Sequence, residues 1–468
     1  MPSFRPVRLH RQFLHPVVLA PVLFVLLMVA SAAADEGPWR FDRSVNLPER
    51  LALDFTHRTR IGHLEDQFRS GLEGNDTVLS FRSQLHARLR VLDWLTLGGE
   101  FIDSRLALDS DSTPRSTALI NTTELLQTYA KLAHPIGELD AQLRGGRITM
   151  DVGSRRLVAR NRFRNTINGF TGIDASIRTK NELSVRAFAV LPVQRRPFRP
   201  QDLERPQTQI DKEDFNVVFV GLFGSGRLPT GDQLELFSFG LREEDSGGRP
   251  TRNRKLWTGG WRLFRTPAAG RFDFQLESVL QAGESRLASA GREDLDHLAH
   301  FHHAELGYRF DAPWSPRLVA QFDYASGDDD PTDDENNRFD TLFGARRFDY
   351  GPTGIFGPFV RANLITPGLR LQLKPHARIT GFTSVRAFWV AEKKDALLGM
   401  RLQDPRGNSG RYVGTQVEAR IRFQILPGNL GLELGFAHLF TDEFREEVPT
   451  NNGQGDTTYV YAQTVVSF

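Results

Sequence analysis

Nine arginines stand on the polar side of stretches that alternate apolar and polar residues: Arg82, Arg88, Arg90, Arg144, Arg186, Arg370, Arg386, Arg420 and Arg422. Of the 59 basic Lys and Arg residues only 7 are Lys, so 52 are Arg. A guanidinium is a flat, always-charged fork that takes a carboxylate or phosphate through two parallel bonds. The chemistry on offer is reversible anion binding rather than bond breaking. A second group, Arg155, Arg156, Arg160, Arg162 and Arg164, is concentrated in one short segment.

Other chemistries find little support. There is no cysteine, which removes thiolate catalysis and Cys-ligated metals. Phe223-Gly224-Ser225-Gly226 has the wrong spacing for a G-x-S-x-G elbow. The scattered glycines lack the strand–G-x-G-x-x-G–helix setting of a nucleotide site. The run Asp328, Asp329, Asp330, Asp333, Asp334, Glu335 offers oxygens to a hard cation, with Asp328, Asp330 and Asp333 as candidate ligands. Its spacing is not that of an EF-hand loop, and it reads as a hydrated surface loop. His297, His300, His302 and His303 lack the helical HExxH frame and read as a rim cluster in a loop entering a strand. No cofactor is expected, and a net charge of +2 gives no bulk attraction to nucleic acid.

The elements that must position the arginines are strands. From Leu79 to Val91 the odd positions are Leu, Phe, Ser, Leu, Ala, Leu and Val, and the even ones Ser80, Arg82, Gln84, His86, Arg88 and Arg90. Slipping by one residue would exchange the two faces completely. Leu51, Leu53 and Phe55 alternate with Ala52, Asp54, Thr56, Arg58 and Arg60, and a turn at Asp93-Trp94 leads to Leu95, Leu97, Gly99 and Phe101. Similar stretches follow at 125–133, 139–150, 173–179, 183–191, 215–223, 233–242, 256–264, 271–282, 302–310, 317–325, 369–374, 379–391, 415–425, 430–440 and 458–468. The chain then has about eighteen strands, with short turns alternating with longer polar loops.

Arg5, Arg8 and Arg11, an apolar run from Val17 to Ala30, and Ala32-Ala33-Ala34 have the layout of a cleavable secretory signal over residues 1–34. The apolar run is short for a membrane span and is interrupted by Pro21. Mean hydropathy is −0.36 and 40% of residues are hydrophobic. These values exclude a helical membrane protein but not a barrel, whose wall is greasy only at alternate residues. The last strand puts Val460, Ala462, Thr464, Val466 and Phe468 on one face, and Tyr459, Tyr461, Gln463, Val465 and Ser467 on the other. Its closing aromatic resembles the terminal strand of outer-membrane barrels, in which that residue is read by the barrel assembly machinery. Residues 35–468 are therefore expected to form an all-β, transmembrane, antiparallel barrel in the bacterial outer membrane, in contact with lipid and lipopolysaccharide. A soluble periplasmic β-sandwich or β-rich solenoid is the alternative, but a sandwich core would be apolar where many faces here are charged.

Two segments sharpen the reading. One runs from Arg144-Gly145-Gly146-Arg147 through Asp151, Gly153, Arg155-Arg156-Leu157 to Asn165-Thr166 and Phe170-Thr171-Gly172. The other is Ser326-Gly327-Asp328-Asp329-Asp330, followed by Phe339-Asp340-Thr341-Leu342-Phe343. Both resemble the alginate export family of outer-membrane porins, with Ile148 standing where the family pattern implies glutamine. The resemblance implies a monomeric barrel of about eighteen strands, whose arginine-lined lumen conducts an anionic polysaccharide or a small anionic solute. The nine strand arginines would line that path, because each would cost roughly 2–4 kcal/mol facing lipid at the midplane. In the alternative, a balanced lumen, Asp273, Glu277, Glu305, Asp323, Glu418 and Glu433 also point inward and pair with them. The Arg155–Arg164 segment reads either as a constriction or capture loop, or as a solvated loop meeting lipopolysaccharide phosphates. Loops 155–170 and 326–350 are the candidates for gating. Two further functions stay open: a general uptake porin for oligosaccharides or organic acids, and an enzyme working at the barrel rim, with no catalytic residue assigned.

Overall fold

The computed structural model describes residues 38–204, 208–246, 250–291, 293–449 and 455–468. The signal expected over 1–34 lies outside the described residues. The wall is built of β1 (Leu51–Glu65), β2 (Asp76–Leu92), β3 (Leu95–Ala107), β4 (Asn121–Ile136), β5 (Leu139–Ile148), β6 (Phe170–Thr179), β7 (Ser184–Gln194), β8 (Val217–Arg227) and β9 (Gln233–Glu243). It continues through β10 (Lys255–Phe264), β11 (Arg271–Ser285), β12 (Leu295–Arg309), β13 (Arg317–Ala325), β14 (Leu364–His376), β15 (Ile379–Trp389), β16 (Tyr412–Leu426), β17 (Leu430–Thr441) and β18 (Thr457–Ser467). Each strand pairs antiparallel with the next. β1 pairs with β18 from Thr56–Ser467 to Glu65–Thr458, which closes the cylinder and leaves the wall without an open edge.

The faces sort as alternation requires. On β2, Leu85 and Leu89 are 43% and 44% exposed on the outer surface, whereas Arg82 is 7% exposed and bonds to groups inside the barrel. On β18, Val460 is outside, while Tyr459 and Tyr461 are buried inside. Gly435 leaves the space that the Tyr461 ring occupies. Short turns join β2–β3, β4–β5, β6–β7 and every later even–odd pair at one rim. At the other rim the connections are longer, including 149–169, 326–363 and 390–411.

The segment before β1 is tied to the C-terminus at the short-turn rim. Asn429 Oδ1 accepts from Trp39 N at 2.7 Å, and Asn429 Nδ2 donates to the Trp39 and Ser467 carbonyls, both at 2.7 Å. Trp39 packs edge-on against Phe468 at 4.6 Å, and Phe55 stacks on its other side at 6.2 Å.

One expectation needs correction. β12 begins at Leu295 and not near His302, so the histidines do not form a rim cluster in a loop. Strand alternation splits them across the wall. His297 and His303 turn inward and are buried, whereas His300 and His302 face outward, 3.1 Å apart at Nδ1 and Nε2. Polar residues at both faces had hidden the strand's start.

Candidate functional site

Two long loops turn inward and meet inside the barrel: residues 149–169, between β5 and β6, and residues 326–363, between β13 and β14. Phe343 N donates to Leu157 O at 2.9 Å, Ala159 N to Phe343 O at 3.2 Å, and Ala345 N to Arg155 O at 2.9 Å. Val158 and Phe343 form a parallel bridge. The approach requires Gly344, where a Cβ would overlap the Arg156 carbonyl. Leu157, Val158, Phe339, Phe356 and Phe359 are buried against the wall residues Phe170, Phe219 and Phe388, with Phe359 stacked on Phe388. Each fully buried side chain of this size contributes roughly 1.5–3 kcal/mol, so the two loops form one packed crosspiece.

One end of the crosspiece is held by charge pairs. Arg156 Nη1 donates to Glu277 Oε2 on β11 at 2.7 Å, and its Nε and Nη2 donate to Asp349 at 3.0 and 2.9 Å. Arg361 also reaches Asp349. Burial alone would push the Asp349 carboxyl up, but the charges of Arg156 and Arg361 outweigh it and hold that group well below the usual carboxylate range. His303 lies 3.0 Å from Arg156 Nη2 and 2.7 Å from Asp323 Oδ1, and Asp323 pairs with Arg386 on β15. Arg347 reaches Glu418 on β16 at 2.6 Å and Tyr461 on β18 at 3.2 Å.

At the other end the wall arginines Arg58, Arg60 and Arg82 hold the loop through neutral oxygens, beside the Arg160–Glu100 pair. Arg58 Nη1 donates to the carbonyls of Arg162 and Phe163 at 3.0 and 2.9 Å, and its Nη2 to those of Arg164 and the Asn165 side chain at 3.2 and 2.8 Å. Arg82 Nη1 donates to the Arg162 and Arg164 carbonyls at 2.9 and 3.0 Å. Arg60 Nη2 reaches the Phe163 carbonyl at 2.9 Å, and its guanidinium lies 3.8 Å from the Phe163 ring centre. The fit is close: a cavity of about 20 Å³ lined by Arg60, Ser80, Asn165, Thr353 and Tyr459 has room for one water.

All nine strand arginines keep to the inner side, and five of them meet a carboxylate. Arg88 pairs with Asp54, Arg144 and Arg186 share Asp174, Arg386 pairs with Asp323, and Arg422 pairs with Glu433. Arg90 meets only the Glu49 carbonyl, at 3.4 Å. Arg370 donates to the Phe348 carbonyl at 3.0 Å, and Arg370 and Arg420 lie 4.9 and 4.6 Å from the Phe382 ring centre. Glu305 and Asp273 both meet Arg317, so each of the six carboxylates expected inside has a guanidinium partner. In the loop, Arg160 pairs with Glu100 and Arg162 with Asp151, Arg164 bonds to Asn168, and Arg155 lies 5.2 Å from the Phe348 ring. The segment is folded inward and does not extend from the long-loop rim.

Of the candidate cation ligands, Asp328 is buried and accepts from Asn337 N at 3.0 Å, while Asp330 faces Lys394 and Asp333 accepts from Glu335 N. No group of three or more metal-ligating side chains comes together among the described residues. Sequence reading passed over Arg58 and Arg60 as site residues, although their alternation with Phe55 and Ile61 already placed them inside. It also passed over Asp349, Arg347 and Arg361, whose partners are distant in the chain.

Comparison with known proteins agrees with this architecture. The family model described as alginate export matches residues 49–454. Among solved structures, OccK3 (OpdO) of Pseudomonas aeruginosa is similar at TM-score 0.56 and 14% identity, over 91% of this chain and 97% of that one. OccAB3 of Acinetobacter baumannii is similar at TM-score 0.58 and 12% identity, over 89% and 99%. OccK2 (OpdF) of Pseudomonas aeruginosa, solved in complex with glucuronate, is similar at TM-score 0.52 and 12% identity, over 89% and 96%. No curated protein matches.

Proposed function

The chain belongs to the alginate export family and is an outer-membrane channel, and from that premise we propose that its lumen passes an anionic saccharide by diffusion. The observation that carries this reading is where charge is left over. Arg58, Arg60, Arg82, Arg370 and Arg420 form no ion pair among the described residues, and the inward strand carboxylates named above are all paired. A low-dielectric wall focuses that residual positive field and concentrates anions. Arginine rings select anions, and several weak, exchangeable sites let a solute both bind and leave. Uronate carboxylates suit the guanidinium fork. The short turns would face the periplasm, so a polymer arriving there meets Arg88, Arg90, Arg420 and Arg422 before the crosspiece, which acts as the constriction. The channel acts as one barrel, takes no cofactor, and has presented Phe468 to the assembly machinery before Trp39 covers it.

Uptake of small anionic solutes is the second reading, and the glucuronate complex of OccK2 favours it. Single-channel recording with uronate oligomers added to one side at a time tests the proposal. Concentration-dependent block from the short-turn side supports export of a polymer, block by monomers alone supports uptake, and no block at any concentration contradicts both.

For an enzyme working at the rim, the serine–histidine contacts Ser83–His57 at 2.8 Å and Ser278–His302 at 3.0 Å are misplaced, because they lie mid-strand on the outward face of the wall. Ser285 Oγ lies 3.0 Å from His297 Nδ1 near the long-loop rim, but Ser285 is fully buried and also takes a bond from Asn336. A nucleophile that substrate cannot reach does no acyl transfer.

A further inference from the structure

The two ends of the crosspiece are anchored by different chemistry. Around Arg156 the guanidiniums of Arg156, Arg347, Arg361 and Arg386 each meet a carboxylate, as a permanent anchor requires. At the opposite end Arg58, Arg60 and Arg82 hold neutral carbonyls. Arg58 and Arg82 stand directly opposite each other in the β1–β2 ladder, and like charges so placed destabilise a sheet. Three guanidiniums converging on neutral acceptors therefore leave positive charge uncompensated where the loop tip meets the wall. A carboxylate brings a guanidinium a full opposite charge and two parallel bonds, where a carbonyl brings only a dipole, so carboxylate oxygens outcompete the carbonyls of Arg162, Phe163 and Arg164.

Resting on the reading of the lumen as an anion path, we infer that Arg58, Arg60 and Arg82 form a carboxylate site that the loop tip 162–165 occupies when no polyanion is present. Uronate carboxylates arriving from the short-turn side take over the guanidiniums, the tip lifts away, and the constriction widens on that side. No covalent bond changes. The charge-paired end stays fixed, so the crosspiece swings rather than leaves. Arg88 and Arg90 lie on the same face of β2, about 20 and 26 Å along the strand from Arg82 at 3.3 Å per residue, and give an approaching chain earlier footholds. Phe163, seated on Arg60 and 4.7 Å from Arg347, resists release until carboxylates arrive.

The absence of cysteine allows a clean lock. Ser104 Oγ donates to the Asn165 carbonyl at 2.8 Å, so S104C/N165C places two thiols at the tip and the wall. In planar bilayers, oligouronate on the short-turn side is expected to raise the open probability of the unmodified channel about tenfold, equivalent to about 1.4 kcal/mol. Oxidising S104C/N165C should abolish whatever rise the same variant shows when reduced. In a second variant, R58Q/R82Q, basal opening should be raised and oligouronate should add nothing further. If the oxidised pair, or R58Q/R82Q, responds to oligouronate like the unmodified chain, the site assignment is overturned while the anion path stands. Oligouronate block without opening in the unmodified channel overturns the assignment as well. If oligouronate has no effect on any of the three, the anion-path reading falls and takes this inference with it.

Discussion

Arg156 and Asp349 join the two inward loops through bonds of 3.0 and 2.9 Å, with both side chains buried. Removing one partner of a buried pair leaves the other charge uncompensated, at a cost of about 3–5 kcal/mol. Asp349→Ala is therefore expected to free the 326–363 loop while leaving the barrel's strand content intact. Gly344→Val attacks the same joint sterically. Protease cleavage within 326–363 and single-channel noise should both increase. Cleavage no faster than in the unmodified chain would show that the loops do not depend on this joint.

Two loop carboxylates set a pH dependence. Burial, with the nearby charge of Glu124, pushes Asp211 up to about 6, and burial, with Asp395, pushes Asp328 up to about 6. A carboxyl whose folded pKa lies above its unfolded value stabilises the folded state when protonated, and that contribution is lost as pH rises through about 6. Hydrogen exchange across 208–216 and 326–340 should therefore slow, after correction for intrinsic rate, as pH falls from 7 to 5. Asp328→Asn should flatten the response in 326–340. Faster corrected exchange at pH 5 would contradict the assignment.

The knot at the short-turn rim is separable from conduction. Trp39, Asn429 and Phe468 bind the segment before β1 to the C-terminus where β1 meets β18. Losing the aromatic contact of Trp39, or the side-chain hydrogen bonds of Asn429, costs about 1–3 kcal/mol. Trp39→Ala and Asn429→Ala should lower the temperature at which the barrel unfolds in detergent, with conductance unchanged. Unaltered melting would mean that the seam holds without the knot.

Outer and inner faces of β2 predict opposite tolerances. Leu85→Arg should cost about 2–4 kcal/mol near the bilayer midplane, whereas His86→Arg, one residue on, should fold normally and shift ion selectivity. Comparing urea unfolding of the two variants in lipid measures the difference. Equal stabilities would place Leu85 away from acyl chains.

Much of this was legible in the order of residues. Leu79–Val91 shows its register because every even position is polar and all odd positions but Ser83 are apolar, and the energetic gap between the two registers is several arginines in lipid. The eighteen strands follow from the same two-residue period, and Phe468 from its place at the end of one. What the sequence hides are contacts between distant residues. Nothing near Arg156 indicates that its partners are Glu277 and Asp349, 121 and 193 residues away, so an inward crosspiece and an outward loop look alike in composition. His297 and His303 were obscured for a related reason: a polar residue satisfied by partners across the lumen looks, locally, like a residue in a loop.

The residual positive charge on Arg58, Arg60, Arg82, Arg370 and Arg420 is most directly tested by the reversal potential of the purified channel in a planar bilayer under a salt gradient. The account predicts the sign of an anion-selective pore, moving toward zero as R58Q, R82Q and R420Q are combined. A cation-selective sign in the unmodified channel would contradict it.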